Sequence, residues 1–262
     1  MTAAVDRWRV AVEALAVPEA VLRTAAEPQW TLEPQRFRWK PAEDARHPVR
    51  PSRRRALEAL PDGGSVLDVG VGGGASSLGL APKAGLIVGV DRLPDMLESF
   101  EASAVEAGVA FRAVLGAWPD VAEQVEPADI AVCHHAMYSV ADIEDFVTAM
   151  TVRARHRVVV ELSEHTPLAA FNPLWKAFHG IDRPDWLVAD AAHEVLLALG
   201  LAVEREDIVL PPRTQEVTPE TVAFARRRLY VGAERDPEIE AFLRTREPAP
   251  QRVVALWWPG EA

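Results

Sequence analysis

VLDVGVGGG, residues 66–74, is an apolar run that breaks into four glycines around a single acid, Asp68. Such a run predicts a buried strand turning sharply into a helix, a place where nucleotide-like ligands commonly bind. Gly70, Gly72 and Ala75 fit the dinucleotide fingerprint, with Asp91 about twenty residues on at the end of the next apolar run. Asp68 weighs against that ligand. A pyrophosphate on this turn would meet a carboxylate two residues ahead of the first glycine, and like charges repel. An acid at this position favours a ligand that carries positive charge.

Outward from the turn, short β-branched runs alternate with helical spacing, the pattern of parallel βαβ units. Residues 65–70, 86–91, 109–116, 129–135 and 157–164 read as five strands. Between them, Leu97, Phe100 and Ala104 follow Pro94 at helical spacing and stop at Gly108, while Ile143, Phe146, Val147 and Met150 share a second helical face. After a helix near 189–199, residues 202–211 and 252–259 read as two more strands, separated by a charged helical insertion over 213–250. Strands joined in that way can lie antiparallel at the end of a parallel sheet. Helical patterns near 6–25 and 51–60 precede all of this.

The 262 residues are 49% hydrophobic, enough for one main domain with additions. The expected division is an N-terminal helical and aromatic extension over 1–64, a possible lid, and a core over 65–262. A formal charge of -11 disfavours nucleic acid and anionic membrane surfaces as partners. No apolar stretch is long enough for a membrane span and the charged start MTAAVDRWRVAVEAL does not fit a signal peptide, so a soluble, cytoplasmic protein is expected. The single cysteine, Cys133, rules out an internal disulfide framework and a cysteine-built zinc site. No histidine or carboxylate cluster has convincing metal-ligand spacing, so no metal is expected.

With Asp68, Gly70, Gly72 and Gly74 in register with an acid-x-Gly-x-Gly-x-Gly motif, the chain resembles the class I S-adenosylmethionine-dependent methyltransferases. Asp91 stands where that family's ribose-binding acid ends the second strand, and Ala117-Trp118 stands where its members flank the adenine. The resemblance is strong over about 50–165 and general over 200–260. It implies an α/β, Rossmann-like, doubly wound sheet of seven mostly parallel strands with the last antiparallel, here with N-terminal helices added. It also implies S-adenosylmethionine as cofactor, held by Asp68, Gly70, Gly72, Gly74, Asp91, Arg92, Ala117, Trp118 and Cys133. Bland readings stand beside these: Asp91 as a helix cap, Trp118 as a core plug, Cys133 as a small buried residue with no nucleophilic role.

A methyl acceptor must lie over the carboxyl ends of the strands. There the fourth strand ends in Cys133-His134-His135, with Tyr138 close behind, and the fifth runs through Glu161 to His165. Histidine accepts a proton near neutrality, so His134, His135 and Tyr138 are the catalytic candidates. Residues on a strand alternate faces, so one histidine of the pair is expected on a given side of the cleft. Trp30, Trp39, His165, Trp175 and His179 are candidates for the substrate pocket, with core packing as the alternative reading. Asn172 is expected to cap the helix that carries Trp175 and His179, with Gly180 as its stop. The expected function is transfer of a methyl group to a small-molecule acceptor, an aromatic one among the candidates. A nicotinamide-dependent (NAD(P)) oxidoreductase and a non-catalytic S-adenosylmethionine-binding protein are the rival readings.

Overall fold

A computed structural model describes residues 2–25, 34, 37–44, 49–212 and 216–262. The seven strands are β1 (Gly64–Val69), β2 (Ala84–Asp91), β3 (Ala110–Leu115), β4 (Ala128–His134), β5 (Ala154–Ser163), β6 (Glu204–Leu210) and β7 (Gln251–Pro259). They form one sheet in the order β3-β2-β1-β4-β5-β7-β6. Only β7 runs against the others, pairing antiparallel with both β5 and β6. The expected Rossmann-like architecture is therefore present, and the insertion before the last strand is what turns β7 back between its neighbours.

Alternation along each strand divides the core in two. Leu67, Val69, Cys133, Val158, Val160 and Trp258 face one layer, which holds α1 (Ala3–Ala14), α6 (Ile143–Val152) and α8 (Val188–Ala198). Val66, Ile130, Val132, Val159 and Trp257 face the other, which holds α4 (Pro51–Ala59) and α5 (Pro94–Ala107). Adjacent Trp257 and Trp258 thus serve opposite layers, as strand geometry requires. In α5, Pro94 opens the first turn, Met96, Leu97, Phe100 and Ala104 are buried, and left-handed Gly108 closes the helix. From the N-terminal region, Trp8 of α1 donates its indole N–H to the Val140 carbonyl at 2.6 Å and meets Trp186 edge-on. A third, smaller cluster gathers α2 (Glu19–Thr24), α7 (Asn172–His179), α9 (Pro219–Leu229) and α10 (Asp236–Thr245) around Trp175, Leu229 and Ile239. The remaining helix, α3, spans Pro41–Asp44.

Three local expectations are corrected. No α-helix follows the glycine turn: residues 71–83 close through turns and one short 3-10 turn, Leu78–Leu80. Two serines, Gly79 and Pro82 fill the few positions available, and Pro82 has no N–H to continue a helix. The Arg53 guanidinium also occupies the space beside Gly79 and donates to its carbonyl. The fourth strand ends at His134, because His135 has a left-handed backbone with φ 56°. Finally, Asn172 lies inside α7 with Phe171 as its cap, although Gly180 does stop the helix in the left-handed conformation.

Candidate active site

At the carboxyl end of β1 the chain turns through Gly70, Gly72 and Gly74, all at positive φ. Gly70 is required twice over: at φ 75°, a Cβ there would also lie 2.4 Å from the Cβ of Ala136. That close approach joins the turn to the segment following β4. Asp91, at the end of β2, accepts the Gly72 N–H and the Leu93 N–H, each at 3.0 Å, through different oxygens. It therefore caps its own loop and fixes the glycine turn, with one lone pair on each oxygen still available.

Asp68 lies fully buried, on the sheet face that packs against α4 and α5. One carboxylate oxygen accepts the Ser76 hydroxyl, while Oδ1 has no partner among the described residues. Burial pushes its carboxyl up to about 6. A buried acid with an unpartnered oxygen beneath a glycine cradle suits a ligand with positive charge or N–H donors. The missing α-helix weakens the dinucleotide alternative independently, because a pyrophosphate relies on a helix N-terminus that this turn does not offer.

Around the turn, Trp39 donates its backbone N–H to the Gly73 carbonyl at 3.1 Å, and Arg38 bridges to Gly73 and Gly74. The N-terminal segment 37–39 thus lies along the glycine loop. Arg92 is exposed beside Asp91. Trp118 is buried, and its indole N–H donates to the Phe146 carbonyl at 3.1 Å, which commits that edge to the core. Ala117, next to it, is exposed. Cys133 is buried on the opposite sheet face from Asp68, and burial pushes its thiol far up, so it stays neutral.

Beyond Ala136, side chains from distant parts of the chain converge. Both ring nitrogens of His135 are engaged: Nδ1 lies 2.8 Å from the Tyr138 hydroxyl, and Nε2 lies 3.1 Å from Glu161 Oε1. The left-handed backbone of His135 swings its ring out of the strand alternation, so the face-by-face expectation for the histidine pair does not apply to it. Glu161 is buried in β5 and also accepts Arg50 Nη1 and the Ser52 hydroxyl, each at 2.5 Å. Burial alone would raise its carboxyl; the His135 hydrogen bond, with the neighbouring imidazoles and the Arg50 guanidinium, outweighs that and holds it far below the usual range. Tyr138 accepts the Ser163 backbone N–H at 2.8 Å, and burial pushes its phenol up to about 12. His134 shares the register of Glu161. Burial pushes its imidazole down to about 4, and its Nε2 has no partner among the described residues.

The other described substrate candidates are engaged by their own neighbours. His165 lies 2.9 Å from Asp185 and bridges to Leu187. Trp175 is buried under the Arg183 guanidinium, 4.0 Å from its ring centroid, and His179 Nε2 meets the Leu229 carbonyl at 2.7 Å. Trp30 lies outside the described residues. Among the described residues no three histidine, cysteine or acidic side chains form a metal-binding group, and no helix is long and apolar enough to cross a membrane. Sequence reasoning missed Glu161, Arg50 and Ser52 as site residues. The available signal was Glu161 itself, an acid interrupting the buried run RVVVELS, where a charge needs partners.

Residues 66–158 match the family model of a methyltransferase domain. Among solved structures, YcgJ protein from Bacillus subtilis is similar at 18% identity and a TM-score of 0.54, over 80% of this chain and 99% of that one. A SAM-dependent methyltransferase from Thiobacillus denitrificans, solved with S-adenosyl-L-homocysteine, matches at 19% identity and a TM-score of 0.51, over 92% and 99% of the two chains. One from Geobacter sulfurreducens, also with S-adenosyl-L-homocysteine, matches at 19% and 0.50, over 81% and 94%. No curated protein matches this chain.

Proposed function

We propose that this chain is a class I S-adenosylmethionine-dependent methyltransferase, consistent with its match to a methyltransferase-domain model over residues 66–158, and that it transfers the methyl group to a small molecule seated between the glycine turn and the end of β4. The observation that carries this reading is the contact of Ala136 with Gly70, which joins the segment carrying the His135–Tyr138–Glu161 cluster to the glycine turn that this reading assigns to the donor. When bound, the donor supplies an electrophilic methyl carbon on a sulfonium, whose bond to sulfur breaks as the acceptor's lone pair attacks.

The chain's own residues divide the remaining work. Gly70, Gly72 and Gly74 let the backbone approach the donor, and the free lone pairs of Asp91 suit its ribose hydroxyls. Asp68 supplies negative charge beneath the turn. Arg92, Ala117, Trp118 and Cys133 complete the donor surroundings, and residues 37–39 act as part of a lid on the core over 65–262. On the acceptor side, the His135–Tyr138 pair takes up the proton of a hydroxyl. The chain's charge of -11 speaks against nucleic acid as acceptor, and a small molecule of the cytoplasm is the natural substrate.

A screen of small-molecule acceptors with S-adenosylmethionine, read by a mass gain of one methyl group, tests this. Donor-dependent gain on hydroxyl compounds is expected. Gain confined to protein or nucleic acid would contradict the proposal.

A further inference from the structure

The wiring around His135 fixes which lone pair of the cluster is left uncommitted. Glu161 is held as a carboxylate, which accepts hydrogen bonds and donates none, so the contact at 3.1 Å requires a proton on His135 Nε2. A neutral imidazole with its proton there has a lone pair on Nδ1, and Tyr138 fills it by donating its O–H at 2.8 Å. Tyr138 in turn accepts the Ser163 N–H through one lone pair, leaving one lone pair on Oη. Neither nitrogen of His135 is left to touch an acceptor. The charged and titratable groups around the chain of contacts are Arg50 at the start of α4, Cys133 and His134 on β4 and Glu161 on β5, which also accepts the Ser52 hydroxyl.

From this geometry we infer that Tyr138 is the catalytic residue that meets the acceptor, that His135 draws the proton through it, that Glu161 is the positioning residue, and that the acceptor is a phenolic hydroxyl. The inference rests on the proposed methyl transfer. As the acceptor oxygen's electron pair forms the bond to the methyl carbon, its O–H bond breaks and the proton passes to Tyr138 Oη. The original Tyr138 proton passes to His135 Nδ1, and the imidazolium is matched by the Glu161 carboxylate. Atoms and charge balance with no further reactant. The acceptor class follows from proton affinities. An ordinary phenol releases its proton near 10 and an ordinary imidazole takes one near 6.5, a gap of about 3.5 pH units. A water-like hydroxyl, near 15.7, lies much further out of reach, and a carboxylate acceptor has no proton to give up.

The test begins without any acceptor. Protein with 15N-labelled histidine, saturated with S-adenosylhomocysteine, is read by long-range 1H–15N correlation at pH 8, with His135 assigned among the seven histidines by its loss in His135→Asn. The expected signature is a proton on Nε2 and a hydrogen-bonded, unprotonated Nδ1. Tyr138→Phe should move the Nδ1 resonance and leave the proton on Nε2, whereas Glu161→Gln should mix the two tautomers. A proton on Nδ1 in the parent, or resonances unmoved by Tyr138→Phe, would overturn the relay even if methyl transfer is real. Transfer is then measured on a panel of phenols and matched carboxylates. Tyr138→Phe should lower transfer to phenols on the order of 100-fold with the KM for the donor unchanged. Transfer to carboxylates alone, with the tautomer as expected, would overturn the acceptor class and leave the methyltransferase reading intact. Should Glu161→Gln fail to fold, Tyr138→Phe decides the outcome by itself.

Discussion

On the β1–β2 side of the crevice, the residues proposed to meet a donor run from Asp68 to Asp91, and backbone atoms do most of the joining: Gly72 N–H to Asp91, Gly70 against Ala136. On the β4–β5 side, Arg50, Ser52, His135, Tyr138 and Glu161 come from three separate parts of the chain, and side chains do the joining. A backbone cradle specifies a common ligand and depends on glycines at positive φ. A side-chain network specifies chemistry, and it exists only once the sheet has brought β4 and β5 into register. The two halves should therefore fail differently when changed.

The largest effect is expected on the side-chain half. His135→Asn keeps a residue type that tolerates the left-handed backbone, yet removes the Tyr138 and Glu161 contacts. Single-turnover transfer should fall on the order of 100-fold to 10,000-fold, with the thermal midpoint little changed. A parent-like rate across pH 6 to 9 would mean that the acceptor needs no base.

Gly70→Ala attacks the junction itself. The added methyl group collides with Ala136 and strains a positive φ, at a combined cost of about 2–5 kcal/mol. Donor affinity should drop on the order of 100-fold, and transfer should drop with it. If Gly70→Ala affected donor binding alone, with transfer at saturating donor unchanged, the two halves would be less tightly joined than the Ala136 contact implies.

A smaller effect distinguishes the electrostatics of the donor side. The Asp68 carboxyl titrates near 6 in the folded protein against 3.8 as its ordinary value, so between about pH 4 and 6 the folded chain holds a proton that the unfolded chain has lost. Its contribution to stability therefore falls as pH rises through that window and levels off above it. A donor carrying a sulfonium should favour the ionised form, so its affinity should rise roughly tenfold between pH 5 and 7. Titration calorimetry over that range should find a shallower rise for S-adenosylhomocysteine, which lacks the sulfonium charge, and none in Asp68→Asn. A flat profile in the parent protein would remove Asp68 from donor recognition.

The same division explains what was legible in the sequence. Alternation and glycine placement located the seven strands among the described residues and α5 with its Pro94 start and Gly108 stop, while the antiparallel return of β7 followed from the insertion before it and from the family resemblance. The residues proposed for the donor side, Asp68, the glycines and Asp91, lie close in sequence, and the turn they build depends on backbone geometry. The helix expected after the turn meets Gly79 and Pro82, which oppose helical propagation, and Arg53 reaches the Gly79 carbonyl from α4, a tertiary contact that local pattern does not encode. Glu161 went unassigned for the same kind of reason. An acid in a buried strand announces that it has partners, but the partners, Arg50 and His135, are set by the register of β4 on β5 and by the docking of α4.

The most direct measurement of this division is the affinity for S-adenosylhomocysteine in two variants, by titration calorimetry, alongside the parent. Asp91→Ala removes the carboxylate that fixes Gly72 and suits the ribose, and should weaken binding by about 1.5 to 3 kcal/mol, the range for hydrogen bonds to a charged group. His135→Asn should bind within about twofold of the parent, well under 1 kcal/mol. Loss of affinity in His135→Asn as large as in Asp91→Ala, in a folded protein, would contradict a donor site built by the backbone and an acceptor site built separately from side chains.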